Sequence, residues 1–132
     1  MRNIELKIKN DIVTSILNNI DVKVYAIYIF GSYGTVYERE DSDIDIAIIT
    51  DSNLSISKKY KLKDILTTTI NKEIDLSILY QHDTNLMINV LSQGLLIYES
   101  DEYNIKFDEI YENIAFDFYF METYTEELNK YV

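Results

Sequence analysis

Ile4, Ile8, Ile12, Val13, Ile16, Leu17 and Ile20 recur at spacings of three and four with Lys, Asn and Asp between them, which predicts an amphipathic first helix. Val22 to Phe30 is a β-branched and aromatic run that suits a buried strand, broken by Gly31 and Gly34. Ile44 to Thr50 is a second apolar strand, closed by the turn formers Asp51, Ser52 and Asn53. From Ser57 to Ile70 the positions Tyr60, Leu62, Ile65, Leu66 and Ile70 fit a helix capped by Ser55 or Ser57, with Lys58, Lys59, Lys61 and Lys63 as a solvated face. A third strand is expected over Ile74 to Tyr80, a short helix over Asp83 to Gln93 stopped by Gly94, and a fourth strand over Leu95 to Tyr98. A long helix then runs from about Tyr103 to the end, its apolar stripe passing through Phe107, Ile110, Ile114, Phe118, Met121 and Leu128. The fold expected is a single α+β (mixed α/β) domain over residues 1–132, a small mixed sheet of about four strands backed by helices.

Composition narrows the setting. At 132 residues the chain can bury a real core without staples, and it has no cysteine, which removes disulfides and thiolate metal sites and suits a reducing cytoplasm. The N-terminal residues contain no uninterrupted apolar stretch and no segment approaches a membrane span, so a soluble, unexported, cytoplasmic protein is expected. The net charge is -11, and from Glu99 to Val132 ten acidic residues stand against Lys106 and Lys130. Such a surface repels phosphate backbones, so nucleic acid is not an expected partner and a basic protein is. Tyr103, Tyr111, Tyr119, Tyr124 and Tyr131 crowd the terminal helix with Phe107, Phe116, Phe118 and Phe120, more aromatic surface than one helix can bury against a small sheet. That helix, about 103–131, is the expected partner-binding element. His82 is the only histidine and reads as a loop residue.

The candidate chemistry lies between the first two strands. Asp43 and Asp45 are two apart at the head of a strand, so their side chains share one face and repel unless a cation sits between them. Mg²⁺ suits hard carboxylate ligands completed by waters and phosphates. Asp75 opens the third strand in Glu-Ile-Asp-Leu-Ser-Ile-Leu. If that strand neighbours the second, Asp75 joins the site as a further ligand and as general base, giving a two-metal phosphoryl-transfer centre. Gly31 lets the backbone turn against a ligand, and the N–H groups of the turn with the Ser32 hydroxyl can receive phosphate. Together these describe a site for a nucleoside triphosphate.

Gly-Ser, ten residues, then Asp-x-Asp, followed by a later strand carrying Asp, resembles the nucleotidyltransferase superfamily of the DNA polymerase β type. The spelling Ser-Asp-Ile-Asp-Ile-Ala-Ile and the segment Gly-Leu-Leu-Ile-Tyr-Glu-Ser-Asp from Gly94 resemble in particular the minimal nucleotidyltransferase (MNT) antitoxins. The resemblance implies an antitoxin that transfers AMP from ATP to a tyrosine of a partner HEPN-domain ribonuclease toxin in a hetero-oligomer. It implies that Gly31 and Ser32 hold the triphosphate, that Asp43 and Asp45 hold magnesium, and that Asp75 activates the tyrosine. Family members commonly carry Ala-Arg-Gly where this chain has Gly34, Thr35 and Val36, and Arg39 is the candidate to replace the loop arginine. Two alternatives stand beside this expectation: a catalytically degenerate antitoxin that acts by binding and occlusion, and a small-molecule nucleotidyltransferase of the antibiotic-modifying kind.

Overall fold

A computed structural model of the chain describes residues 4–39, 42–80, 84–112 and 115. Its elements are α1 (Leu6–Asn19), β1 (Val24–Phe30), β2 (Ile44–Thr50), α2 (Ile56–Ile70), β3 (Ile74–Leu79), α3 (Thr84–Gln93) and β4 (Leu95–Glu99). A fourth helix, α4, follows over 103–112. The four strands form one sheet in the order β3-β2-β1-β4. β1 is antiparallel to both β2 and β4, while β2 and β3 are parallel and joined through α2. The expected mixed sheet backed by helices is therefore what forms. The expected course of the terminal helix through Ile114, Phe118, Met121 and Leu128 lies outside the described residues, as does His82.

Alternation along the strands divides the core in two. Ile44, Ile46 and Ile48 of β2 turn to one face, where they pack with Ile27, Ile29, Ile74 and Leu76 beneath Ile12 and Ile16 of α1 and Leu62 and Leu66 of α2. Ala47 and Ile49 turn to the other, with Tyr28, Phe30 and Leu79, beneath Met87 and Val90 of α3 and Tyr103 and Ile110 of α4. Asp45 and Asp75 have the parity of this second face. Twelve of these side chains have no more than 1% of their surface exposed; full burial of a side chain the size of valine, leucine or isoleucine contributes about 1.5–3 kcal/mol of transfer free energy.

The helix ends follow local chemistry. Ser55 caps α2 by accepting from the Lys58 N–H at 3.3 Å, which selects it over Ser57. α2 stops where Asn71 enters the left-handed region at φ 60° and its N–H bonds the Thr67 carbonyl at 2.9 Å. Gly94 does close α3, but not through a left-handed turn, since its φ is not positive. A Cβ there would run into the Val90 carbonyl oxygen and stand 3.2 Å from Tyr28 Cδ1, so glycine is needed for close approach of the helix end to β1. No helix among the described residues is long and apolar enough to cross a membrane.

Candidate functional site

The candidate residues collect where β1 ends and β2 and β3 begin. In the parallel register Asp45 lies opposite Asp75, and in the antiparallel register it lies opposite Phe30, the residue before the Gly31 turn. Asp43 precedes β2 by one residue and is exposed, Asp75 is exposed, and Asp45 is half-buried. The adjacency that brings Asp75 to Asp45 is thus a property of the β2–α2–β3 unit. Two carboxylates directly opposite on neighbouring strands repel one another, which makes the pair a place for a cation.

Gly31 is shaped around Asp45. Its φ of +74° lies in the left-handed region, and an added Cβ would overlap the Asp45 carboxylate, with Asp45 Cγ only 3.0 Å away. Both the backbone and the space therefore exclude a side chain here. After Gly31 the chain folds on itself through short hydrogen bonds. Thr35 donates from its N–H (3.0 Å) and its hydroxyl (2.5 Å) to the Ser32 carbonyl, and the Glu38 N–H donates to the Thr35 carbonyl at 3.1 Å. The Tyr37 N–H donates to Thr35 Oγ1 at 3.2 Å. Ser42 closes the loop: its Oγ accepts from the Arg39 N–H at 2.7 Å and from Ser32 Oγ at 3.4 Å, and its N–H donates to the Arg39 carbonyl at 3.0 Å. Ser32 is accordingly held beside the start of β2 with its hydroxyl half-buried.

Tyr33 anchors the loop from below, 7% exposed within the core cluster under α1 and α2. Burial pushes its phenol pKa up, and the nearby charges of Glu38 and Glu5 push it further, so the ring stays neutral. Lys72, in the turn between α2 and β3, lies over this ring at 5.1 Å from its centroid and 3.9 Å from Glu38. The Glu73 carbonyl beside it accepts from the Ile44 N–H at 3.0 Å. Arg39 is exposed and enters the loop's bonding through its backbone. Ser42 and Lys72 were not among the residues singled out by sequence pattern, and Thr35 was named only as a position matching the family's Ala-Arg-Gly. Ser42 stood within Ser-Asp-Ile-Asp, next to the signal, whereas nothing local marks Lys72.

Among the described residues, no group of three or more His, Cys, Asp or Glu side chains converges as a ready cluster of metal ligands. An ion here would draw on one or two of the aspartates together with substrate phosphates and water, which is the usual habit of Mg²⁺. The donor set fits: hard oxygens, like-charged and in register, beside a turn that a phosphate can approach.

A mixed sheet with opposed carboxylates at its strand ends and a Gly-Ser turn alongside is an architecture suited to nucleotidyl transfer. The family model for polymerase beta nucleotidyltransferases matches residues 6–103. The protein adenylyltransferase MntA of Shewanella oneidensis is 33% identical over 86 residues, 65% of this chain and 61% of the relative's own length. A crystal structure of a toxin–antitoxin complex with AMP-PNP contains a chain 26% identical, with a TM-score of 0.68, covering 83% of this chain and 90% of that one. A structure of the tri-AMPylated Shewanella oneidensis HEPN toxin with its MNT antitoxin matches at 26% identity and a TM-score of 0.64, covering 84% and 89%. The chain belongs to the polymerase beta nucleotidyltransferase family.

Proposed function

We propose that this protein is a magnesium-dependent protein adenylyltransferase of the cytoplasm, the antitoxin of a HEPN-domain ribonuclease toxin, moving AMP from ATP to a tyrosine hydroxyl of that toxin within a hetero-oligomer. The observation that carries the reading is the β2–β3 register that sets Asp45 opposite Asp75 beside the Gly31 turn. The similarity to a named protein adenylyltransferase, and to complexes holding AMP-PNP or an AMPylated toxin, supports the choice of nucleotide and acceptor.

In this reading Gly31 and Ser32 receive the triphosphate and Arg39 adds positive charge to the loop. Asp43 and Asp45, with Asp75, are the residues that would hold Mg²⁺; bound there, the metal supplies charge neutralisation for the phosphates and the leaving pyrophosphate. Asp75, exposed at the strand edge, takes the proton of the tyrosine hydroxyl as its oxygen attacks the α-phosphorus. A new phosphorus–oxygen bond forms, the bond from the α-phosphorus to the bridging oxygen breaks, and pyrophosphate leaves.

Incubation with α-labelled ATP, Mg²⁺ and a cognate HEPN toxin tests this directly. Label on the toxin should fall by at least about a hundredfold in Asp43→Ala and Asp45→Ala, the scale on which removing a charge-stabilising group acts. Equal labelling with and without these carboxylates would contradict it. A second reading, neutralisation by contact alone, is favoured by one observation: Thr35 stands where the loop arginine is usual, and its side chain is spent inside the loop. Full protection from the toxin by the double Asp43→Ala, Asp45→Ala variant would select that reading.

A further inference from the structure

The loop that lacks its arginine has a cation beside it. We infer that Lys72 is a phosphate-binding residue of this site, its ammonium exchanging Glu38 for the triphosphate of the incoming nucleotide. The inference rests on the reading above that the site takes a nucleoside triphosphate.

Three observations converge on Lys72. The chain ties it to the site: it lies three residues before Asp75, and its neighbour Glu73 accepts the N–H of Ile44, the residue between Asp43 and Asp45. Its Nζ rests over Tyr33 and reaches Glu38, and both belong to the loop that opens with Gly31 and Ser32. Finally, its ties are loose. The Glu38 contact is 3.9 Å long, at the outer limit of an ion pair, and the two side chains are 32% and 36% exposed. An ion pair so open to water contributes little net stability and is readily exchanged. The face of Tyr33 attracts the ammonium without consuming its three donors, so they stay available to phosphate oxygens.

Thr35 and Lys72 thus take separate parts. Thr35 braces the turn through Ser32; Lys72 brings the charge from the neighbouring strand entry. A lysine suits this task because its compact ammonium on a flexible stem can swing between partners, where a guanidinium fork is fixed in plane. In the resting protein Glu38 stands in for the phosphate.

That exchange predicts opposite signs for the two partners. Calorimetry on the full chain with Mg²⁺ measures affinity for ATP and for AMP. Lys72→Met should weaken ATP by about tenfold or more, the scale of a charge-assisted hydrogen bond, and leave AMP nearly unchanged. Lys72→Arg should retain most of the ATP affinity. Glu38→Gln should tighten ATP, because the competing carboxylate is gone. If Lys72 only braces the loop through Glu38, then Lys72→Met and Glu38→Gln will weaken ATP together, and the inference is wrong. Unchanged ATP affinity in Lys72→Met overturns it equally. Failure of the wild-type chain to bind ATP would instead overturn the functional reading on which it stands.

Discussion

At Gly31 the backbone and the site make the same demand. A φ of +74° is strained for any residue with a Cβ, and the space that carbon would take belongs to the Asp45 carboxylate. Gly31→Ala should therefore lower stability by about 1–3 kcal/mol and also displace Asp45, so that ATP affinity falls with the melting temperature; thermal unfolding and calorimetry on the same sample check both. At this scale the aspartates and the Gly-Ser pair were legible, because a period of two places Asp43 and Asp45 on one face and glycine marks a turn. Ser42 and Lys72 were not. Their roles depend on how the loop closes and on β3 lying beside β2, which are facts of tertiary contact, and a serine among aspartates or a lysine after a helix carries no local signature. The loop arginine's absence was visible in the sequence, but its structural counterpart, a threonine bonded within its own turn, was not.

Among the elements, the tie between the sheet and α4 is a pair of buried phenols. Tyr28 of β1 and Tyr103 of α4 share a 2.7 Å hydrogen bond, with their rings edge to face at 6.4 Å. Tyr28→Phe takes this partner from the buried Tyr103 hydroxyl and should cost about 1–3 kcal/mol, whereas Tyr28→Phe with Tyr103→Phe should recover most of the loss. Chemical denaturation of the three proteins makes the comparison. Burial, the largest cause, pushes both phenol pKa values up. The neutral form is thus held longer in the folded state, and stability is intact below the unfolded phenol pKa of about 10 and falls as pH rises past it. The double Phe variant should show a shallower alkaline loss. The elements themselves were largely readable. β2 occupies its expected limits, the ends of β1, α2 and α3 and the starts of β3 and β4 also coincide, and the remaining edges differ by one or two residues. Val22 and Lys23 fall outside β1 because the Lys23 N–H and carbonyl bond to Asp51, in the turn after β2. Gly94 was readable as a stop, while its cause, contact with Tyr28, depends on where α3 packs.

For the whole molecule, the consequential fact is the strand order β3-β2-β1-β4, which brings three separate sequence segments to one end of the sheet: the turn after β1, the head of β2 and the head of β3. Helices on both faces bury the rest, so the carboxylates stand at the open end of a rigid sheet, where a protein side chain can approach them. That adjacency was conditional in the sequence and is settled by the β2–α2–β3 connection. In the proposed reaction Asp45 and Asp75 act as one pair, and their costs are separable. Asp75→Asn removes a like charge from directly opposite Asp45, so in the absence of metal the variant should be as stable as the wild type or more so, by about 0.2–1 kcal/mol. Intact-mass spectrometry of a cognate HEPN toxin, after incubation with ATP, Mg²⁺ and either protein, is the most direct test. Wild type should add AMP to the toxin, and the folded, toxin-bound Asp75→Asn variant should add none. A toxin AMPylated equally by both would contradict the account.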